Sequence, residues 1–182
     1  MLALSALLRP EDRVLELGAG IGFLSAYCAK RLEDGSRVLA VEADPHMCDA
    51  IRNTFLANEL TVEVVNAAVS GGGEPQALAR AEDFWSTRTG PVGADESRPV
   101  VPGVTLESLV EHHRPTVVVC DIEGGEETLT DSVLPGVRAV LIEVHSDAAD
   151  NAVADWLSAQ DFNRRDVSQR VRLYERTDHG ST

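Results

Sequence analysis

Apolar runs rich in β-branched residues recur along the chain: Val14-Leu15-Glu16-Leu17, Arg37-Val38-Leu39-Ala40-Val41, Val62-Glu63-Val64-Val65, Thr116-Val117-Val118-Val119-Cys120 and Ala139-Val140-Leu141-Ile142-Glu143-Val144. Most lack polar alternation, the pattern of strands covered on both faces, so a buried parallel sheet is expected. Between the runs the apolar positions switch to helical spacing. Phe23, Ala26, Tyr27 and Lys30 share one such pattern, and Asp34-Gly35 is expected to stop that helix with a left-handed glycine cap. Asp44-Pro45 reads as an N-cap followed by proline at the first helical position, with Met47, Ile51 and Phe55 on one face. Thr105 is placed to cap a helix from Leu106 to His112, and Ser146 one running through Ala152, Val153, Trp156 and Leu157.

The end of the chain departs from this alternation. Phe162 to Val167 and Val171 to Glu175 read as strands separated only by Ser168-Gln169-Arg170, too short for a parallel crossover, so they form an antiparallel hairpin. The expected fold class is α/β: a doubly wound, Rossmann-like seven-stranded sheet, mostly parallel, with a C-terminal antiparallel hairpin. One domain is expected over residues 1–182, little more than the core fold. Within it Ser70 to Val101, punctuated by Gly71-Gly72-Gly73, Gly90-Pro91, Gly93 and Arg98-Pro99, reads as an irregular substrate-side loop or insertion anchored by Phe84-Trp85.

Composition narrows the function classes. A chain of this length buries about 70% of the surface its unfolded form exposes, so the core needs no disulfide or metal. With 16 Lys plus Arg against 30 Asp plus Glu, a net charge of −14, the surface is unsuited to neutralising many phosphates, and no nucleic-acid partner is expected. Cys28, Cys48 and Cys120 have neither metal-ligand nor redox spacing and read as reduced core residues in a cytoplasmic protein. The apolar start, Met1 to Leu8, lacks a basic leader and falls far short of the ~20 residues that span a bilayer. It reads as a short packing helix, and no membrane association is expected.

The chemistry-bearing residues gather at strand ends. Glu16-Leu17-Gly18-Ala19-Gly20-Ile21-Gly22 follows the first strand and opens a helix, so Gly18, Ala19, Gly20 and Gly22 let the backbone turn tightly and approach a ligand beside free N–H groups. Position 23 is Phe rather than the last glycine of G-x-G-x-x-G. Glu42 ends the second strand, where a carboxylate accepts hydrogen bonds from the vicinal hydroxyls of an adenosine ribose. Asn66-Ala67-Ala68 follows the third strand; an Asn amide suits an adenine edge and the alanines leave room for the ring, although a turn role is equally open. The fourth strand ends in Asp121-Ile122-Glu123-Gly124-Gly125-Glu126, expected to open onto a helix, and the fifth in Glu143-Val144-His145. Ligands of open α/β sheets bind outside these carboxyl ends. Helix capping by Glu123 and Glu126 and a turn role for His145 are the plain alternatives.

The spacing E-x-G-x-G-x-G resembles motif I of the class I methyltransferases that use S-adenosylmethionine. Together with Glu42-Ala43-Asp44-Pro45, Asn66-Ala67-Ala68-Val69-Ser70, Val104-Thr105-Leu106-Glu107-Ser108-Leu109, Asp121-Ile122-Glu123-Gly124-Gly125-Glu126 and Glu143-Val144-His145, it follows the order of the FkbM-family methyltransferases over roughly residues 11 to 146. Cys120 stands where many relatives carry Lys. The resemblance implies a class I methyltransferase fold and O-methylation of a hydroxyl on a small molecule, sugar or natural product, by a monomer or homodimer. It also implies a cofactor site of Glu16, Gly18, Ala19, Gly20, Gly22, Glu42, Ala43, Asn66, Ala67 and Asp121, with Glu16 at the cationic methionine end.

Alcohol methylation requires alignment of donor and acceptor and removal of the hydroxyl proton. His145, Asp121 and Glu123 are the candidate catalytic residues, with His145 or Asp121 as general base and Glu123 orienting the acceptor or the imidazole. No metal ligand is assigned, although a divalent ion on Asp121, Glu123 or Glu143 and His145 is an open variant. An NAD-dependent oxidoreductase and a non-catalytic S-adenosylmethionine-binding module are the alternatives from other classes.

Overall fold

The computed structural model describes residues 2–80, 87–93 and 97–177. The chain builds one seven-stranded sheet from β1 (Val14–Leu17), β2 (Val38–Glu42), β3 (Glu63–Asn66), β4 (Val117–Cys120), β5 (Ala139–Glu143), β6 (Phe162–Asp166) and β7 (Val171–Arg176). Their order is β6-β7-β5-β4-β1-β2-β3. Every pairing is parallel except those of β7, which runs antiparallel to both β5 and β6. The hairpin therefore places its second strand inside the sheet and its first at the edge.

Side chains alternate across the pleat, so successive residues of each buried strand serve different layers. Leu15, Leu17, Leu39, Val41, Val118, Cys120, Val140 and Ile142 pack with Leu106, Leu109 and Val110 of α4 (Leu106–His113) and Val153, Trp156 and Leu157 of α5 (Asp147–Ser158). Val14, Val38, Val117, Val119 and Ala139 face the other way, toward Leu4 and Leu7 of α1 (Leu2–Leu7) and Cys28, Ala29 and Leu32 of α2 (Phe23–Leu32). Ile51 and Phe55 of α3 (Pro45–Ala57) cover Ala40 beside α2. Glu16 has the parity of Val14, so an acid in the middle of β1 is directed into the α2 layer. The cysteines 28, 48 and 120 are buried and unbridged. Among the described residues no helix is long and apolar enough to cross a membrane.

The expected caps hold at three helices. Asp44, Thr105 and Ser146 accept from the backbone N–H of His46, Ser108 and Ala149. The cap of α2 differs: the left-handed residue is Glu33, with φ 56°, not Gly35. Asp34 instead caps the 3-10 turn Gly35–Arg37 through Ser36 N–H. Gly35 is needed there for close approach, because a Cβ would lie 2.2 Å from the Thr61 carbonyl oxygen. After β4 the chain does not enter an α-helix but makes a turn and one short 3-10 segment, Glu126–Leu129. The stretch from Ser70 to Val101 is less irregular than its punctuation suggests: Gln76–Arg80 pairs antiparallel with Thr87–Pro91 and with Val100–Val101. Phe84 and Trp85 lie outside the described residues. Next to this small sheet, Ala68–Val69 pairs with Gly103–Val104.

Candidate functional site

β1, β2 and β3 progress toward one edge of the sheet, and β4 and β5 toward the other, so the topology reverses between β1 and β4. The crevice that such a reversal opens at the carboxyl ends is where open α/β sheets hold ligands. Here it is a cleft of about 370 Å³, lined on one wall by Glu16 through Ile21, Phe23 and Leu24, and elsewhere by Glu42, Ala43, Met47, Ala67 to Val69, Thr89, Val119 and Asp121 to Glu123.

The glycine loop is shaped by two different constraints. Gly18, at φ 78°, hydrogen-bonds through its N–H to the Val41 carbonyl, and a Cβ on it would sit 2.1 Å from the carbonyl oxygen of Asp121. The ends of β1 and β4 therefore approach as closely as backbone permits. Gly22 has the same φ but does not line the cleft; it precedes α2, where a Cβ would meet Ile51 Cγ2 at 3.1 Å. Its requirement is packing against α3.

Glu42 is pinned from both sides. One carboxylate oxygen accepts from Gly20 N–H and the other from Asp44 N–H, each at 2.8 Å. Each oxygen retains a second lone pair, so a fixed carboxylate faces the cleft with acceptor capacity for a vicinal diol. Burial raises its pKa, against the lowering effect of these N–H donors. Asn66 does not line the cleft. Its amide nitrogen donates to the Glu42 and Ala43 carbonyls, both at 2.9 Å, and so braces the turn that presents Glu42. Ala43 and Ala67 do reach the wall.

Glu16 forms the floor. It is fully buried, accepts a hydrogen bond from the Ser25 hydroxyl of α2, and has its pKa pushed up to about 8. Burial is the main cause, opposed by Ser25 and reinforced by the charges of Asp121 and Glu42. A cation arriving above it favours the ionised form of this carboxyl, which then becomes its counter-charge.

The far wall carries the remaining acids. Asp121 continues β4 by donating its N–H to the Leu17 carbonyl. Burial, then Glu143, raises its pKa, although half of its side chain is exposed. The register Ile142 opposite Cys120 brings the residues that follow these two strands side by side. His145 Nε2 consequently lies 3.7 Å from Asp121 Oδ1 and 3.6 Å from Glu123 Oε2. Glu126, 1% exposed, accepts from the backbone N–H of His145 and pairs through the same oxygen with its ring Nδ1. Burial disfavours the imidazolium, but Glu126, Glu123 and Asp121 together outweigh it and raise the His145 pKa. His145 itself is outside the cleft lining, behind Asp121 and Glu123.

The structure thus brings Glu16, Gly18, Ala19, Gly20, Glu42, Ala43, Ala67, Asp121 and Glu123 onto one cleft, with His145 against its acidic wall. Helical spacing alone sets Phe23 on the inward face of α2, yet it is 57% exposed at the cleft, with Ile21 beside it. Thr89, from the three-stranded sheet, had no signal in the sequence. Among the described residues no three His, Cys, Asp or Glu side chains are disposed to hold a metal ion.

Comparison with known proteins agrees with this architecture. Over a 61-residue stretch the chain is 41% identical to a probable ribosomal RNA small subunit methyltransferase A of Methanosarcina mazei, covering 34% of this chain and 21% of that protein. The fold superposes on a methyltransferase FkbM structure from Methylobacillus flagellatus with a TM-score of 0.63 at 18% identity, covering 94% of this chain and 45% of that one. A precorrin-6y C5,15-methyltransferase structure from Geobacter metallireducens gives 0.60 at 12% identity, with 96% and 84% covered. The chain therefore spans about a fifth of the curated relative it matches and under half of the FkbM structure. The family model described as the methyltransferase FkbM domain matches residues 16–164, from the acid of the glycine loop to the first strand of the hairpin, and the chain belongs to that family.

Proposed function

We propose that this chain is an S-adenosylmethionine-dependent methyltransferase that methylates a hydroxyl on a small molecule, sugar or natural product. The observation that carries the reading is the Glu42 carboxylate, held by Gly20 and Asp44 N–H groups at the mouth of a cleft whose floor is the buried, proton-retaining Glu16. Glu42 suits the ribose diol, Ala43 and Ala67 leave space for a purine, and Glu16 suits the cationic methionine end. Gly18 supports the fit, since any side chain there would displace the backbone of Asp121. Held by Glu42, Ala43, Ala67 and Glu16, S-adenosylmethionine would supply a methyl carbon activated by its sulfonium for transfer to an oxygen.

The chain's own residues have two tasks, to orient the acceptor and to remove its proton. Asp121 and Glu123 stand on the wall between the cleft and His145, where either can accept the hydrogen bond of an acceptor hydroxyl and relay its proton. His145 Nε2, near both carboxylates, is the site that finally takes the proton, and its raised pKa holds it until solvent removes it. The exposed Phe23 and Ile21 offer an apolar surface to the body of the acceptor or of the cofactor.

A second reading, an RNA acceptor, is favoured by the 61-residue likeness to a probable rRNA methyltransferase. The net charge of −14 and the acidic wall weigh against it. Calorimetric titration with S-adenosylmethionine and with NAD tests the cofactor, and methyl transfer from labelled S-adenosylmethionine to a hydroxyl-compound panel and to total RNA tests the acceptor. Binding of NAD in place of S-adenosylmethionine overturns the reading, and label in RNA alone replaces the small-molecule acceptor.

A further inference from the structure

We propose that Glu126 is the positioning residue of the site: it fixes the ring orientation and tautomer of His145, so that Nδ1 keeps its proton and Nε2 is the nitrogen that accepts one. The inference rests on the reading of His145 as the general base and assigns what makes that base competent.

Glu126 opens the 3-10 segment that follows β4, and His145 follows β5, so the two come from neighbouring strand ends 19 residues apart. A carboxylate that is 1% exposed costs several kcal/mol to desolvate unless hydrogen bonds replace its water. Its Oε1 accepts from the His145 backbone N–H at 3.1 Å and also faces ring Nδ1 within hydrogen-bonding distance. The second contact fixes the ring relative to its own main chain, since both donors belong to one residue and converge on one oxygen.

The tautomer follows from the partners of each nitrogen. An ionised carboxylate accepts and cannot donate, so the Nδ1 beside Glu126 carries hydrogen in both the neutral and the charged ring. That leaves the Nε2 lone pair free in the neutral ring, on the side of Asp121 and Glu123, 3.7 and 3.6 Å away. The charged groups facing the ring are therefore Glu126 behind it and Asp121 and Glu123 in front, with Glu143 acting on Asp121. On proton transfer the acceptor O–H bond breaks, its electron pair stays on oxygen, the proton passes by way of Asp121 or Glu123 to Nε2, and Glu126 stabilises the imidazolium through Nδ1–H.

Nitrogen-15 NMR of the intact chain reads the tautomer directly and needs neither turnover nor a variant. The expected result is Nδ1–H as the dominant neutral form of His145, opposite to the Nε2–H preference of an unconstrained histidine. Glu126→Gln preserves size and removes the charge. It should lower the His145 pKa and move the acid limb of the pH–rate profile down by about one pH unit, with S-adenosylmethionine affinity unchanged. A dominant Nε2–H tautomer in the unmodified protein, or superimposable pH profiles for a folded Glu126→Gln, would overturn the role of Glu126. Full turnover in His145→Asn with the Nδ1–H tautomer intact in the parent would instead overturn the general-base reading on which the proposal rests.

Discussion

Replacing Glu16 with Gln should remove a large part of the pH dependence of stability. In the fold, burial and the neighbouring charges of Asp121 and Glu42 outweigh the Ser25 hydrogen bonds and move the Glu16 pKa from 4.5 to about 8. Between those values the unfolded chain has released a proton that the folded chain keeps, so stability falls as pH rises. The favourable contribution is complete below pH 4.5 and lost above about 8. That interval, at about 1.4 kcal/mol per pH unit, sets a ceiling of roughly 5 kcal/mol. Gln keeps the acceptor for Ser25 and cannot ionise, so the variant should match the parent at pH 4 and exceed its stability by about 3–5 kcal/mol at pH 9. Urea unfolding at constant ionic strength across this range measures the difference. Parallel stability profiles for the two proteins would refute the account of Glu16 as a buried, proton-retaining carboxyl. A second consequence concerns the cofactor: a cation docking over Glu16 favours its ionised form, so binding at pH 7 should release a proton. Titration heats of the parent should then depend on the ionisation enthalpy of the buffer, and those of Glu16→Gln should not.

Gly18→Ala places a methyl group 2.1 Å from the Asp121 carbonyl at a φ of 78°. It should cost at least about 2 kcal/mol of stability and weaken S-adenosylmethionine binding more than tenfold, with unchanged affinity by titration as the refuting result. Asp12→Ala removes the partner of Arg138, whose Nε donates to Asp12 at 2.9 Å, from a position 1% exposed. Leaving that guanidinium without its counter-charge, with the Leu7 carbonyl still accepting from it and 19% of its side chain exposed, should cost about 2–3 kcal/mol in chemical denaturation, and a loss under 1 kcal/mol would refute the pairing argument. Despite burial, Arg138, the Arg9 N–H and Thr116 hold the Asp12 carboxyl below 3.8, so its stabilising contribution is present above that pH and disappears as pH falls through the folded value.

The sheet and the cleft at its carboxyl edge are legible in the sequence because each rests on local signals. Uninterrupted β-branched runs mark strands covered on both faces, and Asp44-Pro45 or Ser146 marks a helix start through the hydrogen bond its own side chain makes. Glu42 and the glycine loop were found because the turn after a buried strand is short, which fixes where its residues lie. Three features escaped for non-local reasons. Gly35 is glycine because Thr61 approaches it from 26 residues away, not because the chain turns left-handed there. Asn66 bonds the carbonyls of Glu42 and Ala43 once β3 has paired with β2, and nothing at residue 66 announces that register. The glycines and prolines between Ser70 and Val101 mark turns correctly, but the strands between them gain their partners only from pairing across the segment.

The acids of the cleft also differ in how each is held, and under the proposed mechanism that difference has a direction. Glu16 retains its proton to about pH 8, so a cationic cofactor meets a carboxyl that becomes its counter-charge more readily as pH rises. His145, raised by Glu126, Glu123 and Asp121, is able to accept a proton only in the fraction of molecules in which it is neutral, and that fraction also grows with pH. Glu42, whose pKa burial raises against its two backbone donors, gains acceptor strength in the same direction. Occupancy and proton removal therefore improve together toward alkaline pH. A profile limited on its acid side by two groups, Glu16 on the floor and His145 behind the acidic wall, is the behaviour to expect, so the acid limb belongs to both and not to His145 alone.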